Sequence, residues 1–405
     1  MRCRSSFVRG LAYAGVLFGA ASATSVPAAE GPKPSKTAPI GRSSATAASV
    51  ATAKKPVRPQ LQIINGTPHV IDVFWLNDSG ERVPQGSVEP GKYRLISTTI
   101  GHRFAVVHRQ DRSESIVASE VPVQAFRAGG VPAIYTQRAD AAGFPVVASA
   151  RVSPFALREA AYVVDRMLAR RPDVRAAMIK SGARLCIMAH DEYTTDLPEW
   201  AWLADEPEPG FETMSTRDYR DARARGMGGS PTDPYCSCAE ENVLGYDGDP
   251  YAAENILIHE LAHNIHLRGM TNVDPTFDTR VREAYEAARS AGLWRGKYAS
   301  VNHHEYFAEG VQSWFDDNRQ DDHDHNHVNT RRELIDYDPR LAELCREVFG
   351  DTEFRYTKPA TRLAGHLAGY DPAAAPKFEF PPRLNEARRL IRAAAERRNA
   401  EAQGR

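Results

Sequence analysis

The sequence is short of net charge, of cysteine and of long apolar runs. Its 405 residues carry 51 Lys and Arg against 52 Asp and Glu, a formal net charge of −1. No basic excess is present for a nucleic-acid backbone or an anionic membrane surface, and no acidic tail appears. Cys186, Cys236, Cys238 and Cys345 are the cysteines beyond Cys3. The spacing Cys236-Ser237-Cys238 lacks the two-residue gap of a zinc-finger pair and has no partner pair, which argues against a cysteine metal site. Disulfides or buried thiols remain as readings. Beyond the N-terminus no stretch is apolar and long enough to cross a bilayer.

The N-terminus is read as an address. Arg2, Arg4 and Arg9 precede a short apolar core, "LAYAGVLFGA", and Ala21-Ser22-Ala23 is a cleavage pattern. Residues 1–23 are therefore expected to be a signal peptide, with no cysteine at the cleavage point for a lipid anchor. The expectation is a secreted protein, periplasmic or extracellular, with no membrane contact after cleavage. Residues 24–58, rich in Ala, Ser, Thr, Pro and Lys, read as a disordered linker.

A hydrophobic content of 42% leaves enough apolar residues for two cores. From 59 to about 148, short runs such as "LQIING", "VIDVFWL" and "RFAVVHR" alternate with turn signals, the pattern of a small β-sandwich. From 153 the periodicity turns helical. Ser153-Pro154 starts one helix, Pro172-Asp173 a second, and "ARLCIMAH" reads as a strand. Residues 193–250 read as a long irregular segment, of a kind that is functional or covers a site. Further helices are expected near 277–292 and 303–317, and 351–405 is a C-terminal extension with a terminal helix. The fold class is α+β.

"ENILIHELAHNIHLRGM", 254–270, carries the chemistry. Asp249-Pro250 is expected to start its helix and Gly269 to stop it. His259 and His263, one turn apart, present two imidazoles to one Zn²⁺, with Glu260 beside them to take a proton from the activated water. A catalytic zinc needs a third protein ligand. His266 lies seven residues past His259, about 10 Å along the axis, and is expected to support the ligands from behind, to contact substrate or to be a structural polar group. The ligand is sought in "YASVNHHEYFAEGVQSWF", 298–315. There Glu305 and Glu309 share a face opposite Phe307, Val311 and Trp314. Zinc accounts for Glu305, and a hydrogen bond orienting a ligand imidazole accounts for Glu309. His303 and His304 are alternative ligands. "DDHDHNH", 321–327, reads as an exposed polar loop.

H-E-x-x-H followed about forty residues later by E-x-F-A-E resembles the gluzincin-type zinc metallopeptidases, similar to the catalytic domain of anthrax lethal factor. The resemblance covers roughly 150–350 and implies a zincin-like domain with one Zn²⁺ per chain. It further implies Glu305 as ligand, Tyr298 facing the reacting oxygen, and hydrolysis of a peptide bond in a protein or peptide substrate. Residues 59–125 resemble the von Hippel–Lindau β domain through Asn65, Thr67-Pro68, Trp75-Leu76-Asn77, Pro90-Gly91 and Gly101-His102. That resemblance implies a peptide pocket at Trp75, Ser97 and His102, with departures at Gln85 and Phe104. Two alternatives stand beside the peptidase. One is an exported peptide-binding protein with a structural or inactive zinc fold. The other is a zinc hydrolase of non-peptide amides.

Overall fold

The computed structural model describes residues 58–229 and 234–403, without side chains beyond 397. The signal and most of the linker lie outside the described residues. An N-terminal sheet region precedes a largely helical one, in a mixed α+β chain.

The sheet region has seven strands: β1 (Gln60–Asn65), β2 (Ile71–Leu76), β3 (Arg82–Val88), β4 (Tyr93–Ser97), β5 (Arg103–His108), β6 (Glu114–Ala118) and β7 (Val123–Ala128). They form a three-stranded sheet, β4-β1-β7, and a four-stranded one, β3-β2-β5-β6. Alternate residues of both sheets meet in one core: Leu61, Ile63, Ile71, Val73, Phe104, Val106 and Val117. Asn65 closes the turn into β2. Its amide donates to the carbonyls of His69 and Val88, and its Oδ1 accepts from Thr67.

The sandwich stops at β7. The later strands β8 (Gln137–Ala141), β9 (Phe144–Ala148), β10 (Arg184–Met188), β11 (Gly226–Met227) and β12 (Tyr235–Ala239) build a separate sheet in the order β11-β12-β10-β9-β8. The run of strand signals to 148 thus divides between two sheets. The β8–β9 hairpin joins the second because β9 pairs parallel with β10. β10 is buried on both faces, as a central parallel strand must be.

One face of that sheet packs on α1 (Pro154–Met167), α2 (Pro172–Lys180) and α5 (Ile256–Asn264). The other face, with Cys186 and Met188, is covered by Leu197, Trp200 and Leu203. Residues 193–250 are therefore less irregular than the sequence reading has them. They hold short 3₁₀ turns, α3 (Thr216–Arg223), β11, β12 and α4 (Glu240–Leu244). Buried Arg225 ties the segment together, with Nε 2.6 Å from Glu241 and contacts to the carbonyls of Ala189 and Glu192. None of the described cysteines forms a disulfide.

The remaining helices are α6 (Thr271–Val273), α7 (Phe277–Ser290), α8 (His303–Trp314), α9 (Arg331–Tyr337), α10 (Pro339–Phe349) and α11 (Asn385–Gln403). Leu384 and Ala387 bury the start of the terminal helix. No described helix is long and apolar enough to cross a membrane.

Candidate functional site

Helices α5 and α8 pack against each other and bring the H-E-x-x-H residues to the 298–315 segment. The start of α5 differs from the sequence expectation. Its N-cap is Asn255, whose Oδ1 accepts from the Ile258 amide, while Asn242 accepts from the Ile256 amide. Asp249-Pro250 belongs to the preceding turn, where Asp249 accepts from Asn242 and the Tyr251 amide. Gly269 does not stop the helix. A π-helical turn, Ile265–Met270, carries it on into α6. Gly269 instead permits close packing, since a Cβ there would lie 2.5 Å from Val174 Cγ1. Asn302 caps α8, accepting from the amides of His304 and Glu305, so the ligand candidate Glu305 sits in a well-fixed first turn. That helix is buried from Glu305 to Trp314 rather than apolar on one side only.

Three donor atoms converge. His259 Nε2 is 3.1 Å from Glu305 Oε2, His263 Nε2 is 3.3 Å from the same oxygen, and the two imidazole nitrogens are 3.2 Å apart. Donors about 2.0–2.1 Å from a tetrahedral zinc lie roughly 3.3 Å from one another. The three residues therefore fit that ion as they stand. Two aromatic nitrogens and one carboxylate oxygen are also a donor set zinc takes readily.

Gln312 orients His259. Its Oε1 is 2.8 Å from His259 Nδ1, and its Nε2 donates to Glu254 Oε2 at 2.8 Å. A carboxylate only accepts, so Glu254 fixes which end of the amide faces His259. Nδ1 then donates to Gln312, and the Nε2 lone pair turns to Glu305 and His263. The sequence reading gives this task to Glu309. Its Oε1 is 3.6 Å from His259 Nδ1, and its stronger partners are Asn318 Nδ2 at 3.0 Å and His325 Nε2 at 3.3 Å. The reason is reach: Gln312 stands one turn further along the same face. His325 is itself buried, so the 321–327 loop is not simply an exposed polar one. Gln312 lies seven residues beyond Glu305, but a neutral amide there gave no signal in the sequence. His325 had no signal beyond its polar company.

Glu260 is buried beside the triad, and its Oε2 has no hydrogen-bond partner. Burial raises its carboxyl to about 8; His259 opposes the rise and Glu305 adds to it. Burial disfavours a charged His259, but Glu305, Glu260 and Glu309 outweigh it and push the imidazole up to about 10. Burial lowers His263. Burial works against an ionised Glu305, yet His263 and His259 hold its carboxyl well below the usual range. The Tyr298 ring lies 6.1 Å from that of His259, centroid to centroid.

His266 faces elsewhere. It is fully buried among the rings of Phe277, Phe307, His303 and His304, with Nε2 3.3 Å from Asp278 Oδ1. Burial lowers it to about 4. His303 and His304 share that second location, with Nε2 atoms 3.0 and 3.7 Å from the same Asp278 oxygen. They are not brought to the Glu305 triad.

In the sandwich, the Trp75 and His102 rings are 5.1 Å apart. Ser97 does not join them. Its hydroxyl accepts from Gln60 on β1, and the neighbour Thr98 makes the 3.2 Å contact to His102. Strand alternation places Ser97 and Thr98 on opposite sides. Phe104 is core, and Gln85 is partly buried on β3.

A scan against models of protein families gives no match, and a search of curated proteins gives none.

Proposed function

We propose that the protein is an exported zinc-dependent metallopeptidase with a zincin-like second region. The observation that carries the proposal is the triad His259–His263–Glu305, with donors 3.1–3.3 Å apart and the orphaned Glu260 carboxylate beside it. Zinc held there supplies Lewis-acid chemistry, polarising a substrate carbonyl and acidifying a water.

The chain's own residues do the rest. Glu260 accepts the water's proton at Oε2 and hands it to the leaving amine, a role for which a buried carboxylate with one unpartnered oxygen is suited. Tyr298 donates to the oxyanion that develops on the carbonyl. Gln312 and Glu254 hold the His259 ring. The substrate is a peptide or protein, and the Trp75–His102 face of the sandwich recruits it. The peptide-binding alternative does not need an unpaired carboxylate at Glu260, whereas the hydrolase does.

Glu260→Gln tests the mechanism. The variant is expected to hold as much zinc as the wild type and to lose at least a thousandfold in peptide hydrolysis. Hydrolysis near the wild-type rate removes Glu260 from the mechanism. Glu305→Ala is expected to lose the metal, and a full complement of zinc in it assigns the third ligand elsewhere.

A further inference from the structure

A second convergence of metal-ligating groups lies outside the triad. Three imidazoles point at one carboxylate oxygen. Asp278 Oδ1 is 3.0 Å from His303 Nε2, 3.3 Å from His266 Nε2 and 3.7 Å from His304 Nε2. Ligand atoms of Asp278, His303 and His304 all lie within 4.8 Å of one another.

Hydrogen bonding does not account for this arrangement. A carboxylate oxygen offers about two lone-pair directions. Three ring nitrogens share this one, while the other oxygen, Oδ2, is 3.0 Å from Arg282. His266 is the sharper case. It is fully buried, and neither ring nitrogen has a hydrogen-bond partner; the 3.3 Å approach to Asp278 lacks hydrogen-bond alignment. A buried imidazole left so costs about 1–3 kcal/mol. A cation held by Asp278, His303 and His304 relieves the crowding at the shared oxygen, because the two ligand rings then offer it lone pairs rather than seeking that acceptor.

We propose that Asp278, His303 and His304 form a second zinc site, distinct from the triad, with His266 lying against it. Two imidazoles and one carboxylate give three protein donors and leave the fourth position to a water. The 3.0 and 3.7 Å separations of Asp278 Oδ1 from the His303 and His304 nitrogens bracket the roughly 3.3 Å expected of tetrahedral donors. The ion ties two elements, the first turn of α7 and the first turn of α8, beside the π-helical turn that carries His266. Glu305 follows His304 directly, so the second ion braces the helix that presents Glu305.

The proposal stands apart from the hydrolytic reading, and metal content separates the two. The full chain, stripped and reloaded with Zn²⁺ alone, is expected to retain two ions after desalting. His303→Ala/His304→Ala is expected to retain one, and so is His259→Ala/His263→Ala. With Co²⁺ in place of zinc, the His259→Ala/His263→Ala variant is expected to keep a four-coordinate visible spectrum. His304→Ala alone, at a partly exposed position, covers the case in which the double variant fails to fold. It is expected to weaken the second ion at least tenfold in chelator competition. One ion in the wild type, or two ions of unchanged affinity in both His304 variants, overturns the second site and leaves the triad untouched.

Discussion

Gln312 decides which nitrogen of His259 carries the proton. Its amide is set by Glu254, which lies 2.8 Å from Arg319 Nε, so a line of four side chains ends at the imidazole whose Nε2 faces Glu305 and His263. Removing such a partner from a ligand imidazole typically weakens metal binding 10–100-fold. Gln312→Ala is expected to do so with Glu260 and Glu305 in place, and a chelating dye reads the change. Unaltered affinity means the His259 ring needs no help.

His325 supplies a second residue-scale prediction. Burial acts against its charged form, but Glu309 and Asp322 outweigh burial and push it up to about 10. A raised pKa in the folded state stabilises the fold fully below the ordinary histidine value, about 6.5. That stability is lost as pH climbs through about 10. Between pH 7 and 10 wild-type stability should fall by up to roughly 1.4 kcal/mol per pH unit from this group. His325→Asn should flatten that fall, as denaturant titrations at several pH values show; equal slopes contradict the pairing. The triad was legible because H-E-x-x-H names two ligands, and two carboxylates on a helix among apolar residues name a third. Gln312 and His325 were not legible. A neutral amide carries no charge to explain, and a loop histidine carries no register.

At the scale of elements, glycines let β11 lie against α5. A Cβ on Gly226 would come within 2.4 Å of Ile256 Cγ2, and one on Gly228 within 2.6 Å of His263 Cδ2 and 2.9 Å of Glu260 Oε2. "ARARGMGG" is thus a strand edge cut to fit over the site. Gly228→Ala is expected to displace His263 or Glu260 and to lower hydrolysis at least tenfold with little change in overall stability. Activity close to wild type shows that the edge can retreat. Helix positions and the starts of α1 and α2 were read correctly, and the two ends of α5 were not. The Asn255 cap depends on Asn242 and Asp317, which bring partners from other elements that no local pattern reveals. Gly269 looks like a stop because αL glycines end helices. It serves instead to admit Val174 of α2.

In the whole molecule, the two regions are joined by backbone as well as side chains. Ala125 N donates to Ser181 O, and Asn272 pairs with both the amide and the carbonyl of Val123 on β7. Two hydrogen bonds to an otherwise satisfied strand edge are worth about 1–3 kcal/mol. Asn272→Ala should therefore loosen the sandwich from the helical region, detected as earlier protease cleavage between them; an unchanged digestion pattern contradicts this. The α+β order was legible from the switch between period-2 and helical patterning. The position of the switch was not, because β8 and β9 have the same alternation as the sandwich strands and differ only in their partner, β10.

The central claim is hydrolysis of peptide bonds by zinc at His259, His263 and Glu305. The most direct measurement is cleavage of a proteome-derived peptide library by the full chain, zinc-loaded, zinc-stripped and as the zinc-loaded Glu260→Gln variant. New peptide termini are predicted with the zinc-loaded protein alone, disappearing on stripping and returning with Zn²⁺. No zinc-dependent termini, or the same termini from the Glu260→Gln variant, contradicts the account.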